Sequence, residues 1–195
     1  MSRKSIAFVL VFLLTAMAAS PQQKEPALVK PFHYSLTLGT GWTHYIDNLE
    51  YGNQGLGKDF AGFSFRFLWE PEYRLSLGAE TGIYTMFKVK SQSRATTPGD
   101  ITRRISPVFL LARMRIFNHF YLGTGFGLAF LTNSTNTNHQ KIVTNTTSLS
   151  NYLFSASYIC PISPRWQFGG EVKVFDFGAY NDWMYSLQVF GAFRF

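Results

Sequence analysis

From Phe32 to Phe195, apolar and polar positions alternate with a period of two. Phe32, Tyr34, Leu36, Leu38, Thr40 and Trp42 share one parity, and His33, Ser35, Thr37, Gly39, Gly41 and Thr43 share the other. Successive side chains of a β-strand point to opposite faces, so this run predicts a strand with one apolar and one polar side. The pattern recurs over residues 61–69, 73–83, 108–116, 120–130, 152–158, 166–174 and 183–195, which makes eight strands in all. Several approach the roughly 9–11 residues that a tilted strand needs to cross a bilayer. The connections alternate in length. Residues 46–59, 90–104 and 132–150 are long and polar, 70–72, 117–119 and 161–165 are short, and 176–182 is intermediate. Long loops at one end and tight turns at the other are expected of an outer-membrane barrel, with the long loops outside. An even strand count then puts both chain ends on the periplasmic side.

The faces decide what kind of barrel this is. A soluble lipocalin-like barrel also has eight alternating strands, but its polar face would meet water and carry many Lys and Glu. Here the polar face is mostly Gly, Ser and Thr with a few Arg and Glu. Small residues suit the crowded interior of a narrow barrel. The other face is Phe-, Trp- and Leu-rich, too bulky for that interior, and fits lipid. Composition agrees: 17% of residues are aromatic and only 15% charged, against about 25% charged in ordinary soluble domains. The reading is all-β, an eight-stranded antiparallel up-and-down transmembrane β-barrel over residues 32–195. Trp42, Trp69, Tyr73, Tyr158, Trp166, Trp183 and Tyr185 lie near strand ends, where they would form the two interfacial aromatic girdles.

The long continuous apolar run is at the start of the chain. Arg3 and Lys4, the apolar stretch 6–14, and the small residues Ala16 and Ala18 have the three-part order of a secretory signal peptide. The apolar core is too short for a helical span. Cleavage after Ala18 makes 1–18 the leader and leaves 19–31 as a short periplasmic segment. No Cys follows the run, so a lipoprotein signal is not expected. The leader takes with it two of the seven net positive charges. The remaining basic residues form no run, and export argues against nucleic acid as a partner. The single Cys160 allows no internal disulfide.

The end of the chain carries a resemblance. Residues 185–195, Tyr-Ser-Leu-Gln-Val-Phe-Gly-Ala-Phe-Arg-Phe, end in an alternating aromatic pattern. Gln188, Phe193 and Phe195 match the C-terminal signal by which the assembly machinery recognises Gram-negative outer-membrane barrels. The Gly frequent two residues after the polar position is Phe190 here, with Gly191 one step later. With Tyr121-Leu-Gly-Thr-Gly-Phe-Gly-Leu-Ala-Phe130, the chain resembles the small eight-stranded outer-membrane β-barrels of the OmpX and OmpA transmembrane-domain type. That resemblance implies an integral protein of the cell outer membrane. Its partners would be outer-membrane lipids, lipopolysaccharide and, during biogenesis, the barrel-assembly machinery. No peptidoglycan-binding domain follows, so a wall anchor is not implied.

Candidate chemistry sits on the inward face. Arg66, Arg74, Glu80, Arg113, Arg115, Glu171, Lys173 and Arg194 fall there, with Gln188. Buried charges must be paired or hydrated, so Glu80 and Glu171 are expected to centre an ion-pair network, with Arg113 and Lys173 as partners. Such a network would plug the barrel and hold strand register; the alternative is a narrow anion-preferring pore. A second alternative is a lipid-A-modifying enzyme. His33-Tyr-Ser35 resembles the His-x-Ser pair of lipid A deacylases, but it lies at the periplasmic start of the first strand and points inward, whereas that family's pair sits late in its chain and faces the outer leaflet. A His near a Ser is no triad without the geometry. His44, His119 and His139 have no ligand spacing, so no metal or cofactor is expected. Glu70 and Glu72 flank Pro71 and read as turn chemistry. The Asn/Thr-rich stretch 132–141 is expected to be a mobile surface loop, where ligand recognition would reside. The sequons at Asn133 and Asn145 carry no meaning in a bacterial outer membrane. The expected role is structural or surface-interaction, without catalysis, and the surface ligand is not identified by any motif.

Overall fold

The computed structural model describes residues 32–46, 56–71, 74–90, 99–137, 140–178 and 182–195. The leader 1–18, the segment 19–31, Tyr73 and His139 lie outside the described residues. Eight long strands follow one another: β1 His33–Ile46, β2 Asp59–Glu70, β3 Leu75–Lys90, β4 Gly99–Arg115, β5 Phe120–Thr137, β6 Lys141–Pro161, β7 Trp166–Phe177 and β8 Asp182–Arg194. A two-residue segment, Leu56–Gly57, pairs with the far end of β3 just before β2. Every strand is antiparallel to its sequence neighbours, and β1 pairs with β8 to close the sheet. Closure gives each barrel strand a partner on both sides, which is the condition for a sheet to stand in hydrocarbon. The seam is complete to the last residue: Tyr34 and Phe195 exchange backbone hydrogen bonds of 3.0 and 2.9 Å.

Turns 117–119 and 162–165 lie at the same end as the seam's start. At the opposite end β4, β5 and β6 continue past the end of β7 as a ribbon, with β3 still paired to β4 as far as Lys90↔Asp100. Its register runs unbroken through Arg104↔Thr132↔Asn145 to Asp100↔Asn136↔Lys141. Much of the expected loop 132–150 is therefore strand, and so are residues 99–104. The Thr, Val and Ile of this stretch favour extended backbone, and each strand extends a ladder already begun below. Both ribbon faces are wet, so polarity here reports exposure and not a loop. The pairing of β6 with β7 stops at Asn151↔Phe177, so β6 rises past β7 by ten residues, 141–150.

Two bulges tune this end. Between Thr85 and Phe87 of β3 one extra residue is inserted, and Met86 and Phe87 are both buried as a result. On β6, Leu149 and Ser150 together oppose Leu128. Ser150 takes φ 61°, in the left-handed region. Ser148 Oγ donates to Asn151 Oδ1 and Asn151 Nδ2 donates to the Ser148 carbonyl, both at 2.9 Å, which holds the bulge. A bulge adds one residue to one strand and so switches which parity faces inward.

The interior is layered. The half nearer the turns is polar and charged. The half nearer the ribbon is apolar, built from Tyr45, Tyr84, Met86, Phe87, Ile105, Phe109, Leu131, Leu153, Phe175, Phe177 and Met184. Tyr84 and Phe109 pack on Phe175 at ring-centroid distances of 5.0 and 6.0 Å. The inward face is thus not uniformly small, as the alternation suggested. Large rings fit because glycines face them: a Cβ on Gly62 or Gly82 would strike the Tyr84 ring. Outside, the barrel bares large apolar side chains on every side, with Phe63 60%, Leu110 73% and Val189 67% exposed. A continuous surface of this kind marks contact with an apolar medium.

The Gly62–Tyr84 fit gives a test. Gly62→Val is expected to destabilise the barrel by about 1–3 kcal/mol through overpacking, read as a lowered urea midpoint for unfolding from lipid vesicles. Gly57→Val, whose Cβ meets only ordinary contacts at 3.6 Å, is expected to leave that midpoint unchanged.

Candidate functional site

The centre of the lumen is a ring of four charges. Arg66 on β2 stands directly across from Glu80 on β3, and its Nε donates to Glu80 Oε2 at 2.6 Å. Its Nη2 reaches across the barrel to both oxygens of Glu171 on β7, at 2.8 and 2.6 Å. Lys173, two residues along the same strand and therefore on the same face, places Nζ 2.5 Å from Glu80 Oε1 and 3.4 Å from Glu171 Oε2. All four side chains are at most 3% exposed. Lys173 also donates to Ser64 Oγ at 3.2 Å, Ser64 donates to Gln188 Oε1 at 2.8 Å, and Gln188 donates to Tyr84 at 3.4 Å. The polar layer is tied by this chain to the apolar layer above it.

A second cluster sits nearer the turns. Glu70 accepts from Arg113 Nη2 at 3.0 Å, from Arg194 Nη2 at 2.6 Å and from Ser35 Oγ at 3.3 Å. The Arg113 guanidinium lies 4.8 Å from the Tyr121 ring centroid, a cation–π placement.

Of the residues singled out in the sequence, Arg66, Glu80, Glu171 and Lys173 meet in the central ring, and Arg113 and Arg194 meet on Glu70. Arg113 is not the partner of Glu80 or Glu171; Arg66 takes that place. Arg74 is exposed at the turn and Arg115 is half-buried beside it; neither forms an ion pair with Glu70, Glu80 or Glu171. Glu70 is no mere turn residue. It keeps the even, inward parity of Ser64, Arg66 and Leu68, and that parity was the signal that could have found it. His33 and Ser35 face the lumen, and Ser35 bonds to Glu70; no hydrogen bond joins His33 to Ser35 or Glu70 among the described residues.

The aromatic residues take two levels. Trp69, Tyr158 and Trp166 stand at the turn end on the outer face, where Tyr34 stacks between Phe67 and Phe195 and Trp166 packs on Phe193. Trp42, Trp183 and Tyr185 stand at the ribbon end, with Trp183 opposite Ile46. Phe193 and Phe195 stack outside at 6.3 Å, while Gln188 points into the lumen. Phe190 also points inward, into space left by Gly169, where a Cβ would meet its ring. A Gly at 190 would leave that space empty.

The outer face of the ribbon carries a shallow depression of about 260 Å³ lined by Thr102, Arg104, Thr132, Ser134, Lys141 and Val143. On β4 and β5 it begins one step above the last exposed apolar residues of the outer face, since Leu110, Val108, Ser106 and Arg104 ascend one face of β4 and Phe126, Leu128, Phe130 and Thr132 ascend β5 beside them.

Removing one member of a buried ion pair leaves an uncompensated charge and costs about 3–5 kcal/mol. Glu80→Gln is expected to destabilise the barrel by that order, and Glu80→Gln with Lys173→Met to recover much of the loss. A double-mutant cycle of urea unfolding in vesicles measures both; additive effects would show that the pair is uncoupled.

No family model matches the chain, and no curated protein matches it. Its fold is similar to that of Ail, the attachment invasion locus protein of Yersinia pestis, in complex with the heparin analogue sucrose octasulfate. Identity is 12%, 85% of this chain and 100% of that chain are covered, and the TM-score is 0.56. Ail without that compound gives the same identity and coverage with a TM-score of 0.53. Neisserial surface protein A (NspA) also shares 12% identity over 85% of this chain and 100% of its own, with a TM-score of 0.45. The likeness at such identity is one of fold, and that fold is the closed, all-antiparallel eight-stranded barrel of small outer-membrane proteins.

Proposed function

We propose that this is an integral outer-membrane barrel, without catalysis, that presents the β4–β5–β6 ribbon at the cell surface and engages anionic sugars there. The lipopolysaccharide around it supplies such groups as phosphates on lipid A and core sugars. The observation that carries the reading is the depression on the ribbon's outer face. Arg104 and Lys141 offer charge, Thr102, Thr132 and Ser134 offer hydroxyls, and the apolar band on the outer faces of β4 and β5 ends just below. Phosphate is recognised by this combination of cations and hydroxyl donors. The Ail structure was solved with a sulfated sugar analogue bound, a ligand of the same chemical class. Export by the leader 1–18, and insertion by the assembly machinery through Gln188, Phe193 and Phe195, belong to the same reading.

The test is binding of the purified barrel to lipid A micelles with and without phosphates. Arg104→Ser with Lys141→Ser is expected to weaken binding to the phosphorylated form by about tenfold or more and to leave binding to the dephosphorylated form unchanged. Equal loss on both, or no loss, removes the site. The filled interior makes a separate prediction: planar bilayers containing the protein are expected to show no discrete conductance steps, and steady unitary currents would reinstate a pore.

A further inference from the structure

The two cations that line the depression on the ribbon's outer face, Arg104 and Lys141, stand far apart. Residues directly opposite one another share a face, so the ladders set out a grid. Arg104 shares a row with Thr132 and Asn145, and Lys141 shares a row with Asn136 and Asp100. Lys141 is thus two strands over from Arg104 and, on β6, four residues beyond Asn145. With strands about 4.8 Å apart and a rise of about 3.4 Å per residue, the two backbones are about 17 Å from each other. A single phosphate would meet both cations only with each side chain laid out along the sheet, at the entropy cost of fixing many rotamers. Each end of the depression is better matched to an anion of its own.

The Arg104 end has a second cation just outside the depression. Lys88 of β3 is directly opposite Thr102, on the same outer face. It stands one strand over from Arg104 and two residues along, about 8 Å away by the same spacings. Two cations so placed can close on one anionic group from either side. Lys88 is only loosely engaged elsewhere. Asp100 Oδ2 is 3.7 Å from its Nζ, beyond hydrogen-bonding distance, and the two side chains are 41% and 46% exposed. An exposed pair of this kind contributes little. Between the two ends the face presents Thr102 and Ser134, which bring hydroxyls and no charge. Asp100, in the row of Lys141, stands beside this path and repels any anionic group placed midway.

Resting on the reading of this face as a site for anionic sugars, we propose that its ligand is a disaccharide head group with a phosphate at each end, as lipopolysaccharide carries in its lipid A. One phosphate sits between Lys88 and Arg104, the other at Lys141, and the sugars cross Thr102 and Ser134. The side chains reach in from both ends, so the phosphates lie closer together than the backbones.

Binding of the purified barrel to micelles of lipid A with both phosphates, with one and with none tests the two-ended site. The wild-type barrel is expected to bind the form with both about tenfold more tightly than the form with one. Lys88→Ser is expected to weaken binding of the form with both by about tenfold, and Lys88→Arg to restore it. Asp100→Asn, which removes a negative charge beside the path, is expected to tighten it. The form with one phosphate is expected to use the end with two cations, so that Lys141→Ser leaves its binding unchanged. Equal affinity for one and two phosphates, both above none, overturns the two-ended site and keeps the surface reading. Equal affinity for all three overturns the surface reading as well. Binding of the form with both that is untouched by Lys88→Ser also rejects the proposal.

Discussion

Arg66 and Lys173 each stand between the same two carboxylates, and the rest of the barrel is organised around that ring. Two of its members, Arg66 and Glu80, are cross-strand neighbours on β2 and β3, and the other two lie on β7. The ring therefore joins segments that no backbone ladder joins directly. A slip of one residue in any of these strands would turn its charge out toward the apolar face, because side chains alternate. Register is weakly specified by backbone bonds alone, and here the cost of exposing a charge to the apolar side supplies the specificity. Ion pairs of this kind are poor sources of net stability; their effect is to penalise every alternative register.

The ring also explains the layering above and below it. Eight strands leave an interior only wide enough for side chains, so once the charges occupy the middle, both ends must be closed by something else. Toward the turns, Glu70 gathers Arg113, Arg194 and Ser35. Toward the ribbon, Tyr84 and Phe175 start an apolar cap. Tyr84 belongs to both: its ring packs in the cap and its hydroxyl accepts from Gln188. That one side chain lets an apolar layer sit on an ionic one with no unpaired polar atom of Tyr84 or Gln188 between them.

The alternation of residues revealed the strands, their number and their two faces, because a period of two follows from strand geometry and owes nothing to long-range contacts. It revealed less where the period breaks or where both faces are wet. The β3 bulge at Met86 buries two consecutive residues, which no fixed period describes. The ribbon was hidden because Thr and Asn at 132–147 read as loop residues, although a strand with water on both sides needs no apolar face at all. Partner choice was also out of reach. Parity placed Arg66, Arg113 and Lys173 on one face, but which carboxylate each meets depends on height and on distance across the barrel. Glu70 shows the same limit, since a residue beside Pro71 reads as a turn until the opposite wall of the barrel is seen.

The two ends of β5 and β6 carry opposite demands, and the sequence meets both in one continuous pair of strands. Near the turns, Gly123, Gly125 and Gly127 thin the inner wall so that Arg113, Leu111 and Phe109 can cross the lumen. Near the ribbon the same strands must stand without a barrel around them, and there the Gly give way to Thr, Ser and Asn. The β6 bulge at Leu149 and Ser150 lies at the junction, one step above the last pairing with β7. It resets the parity of β6 where the inside of the barrel ends, so that Val143 and Lys141 come to the same outer face as Arg104 and Thr132. Without that extra residue, Lys141 would point to the other side of the ribbon and Arg104 would stand alone. The depression lined by three strands thus depends on one inserted residue in a strand whose lower half lines the barrel interior.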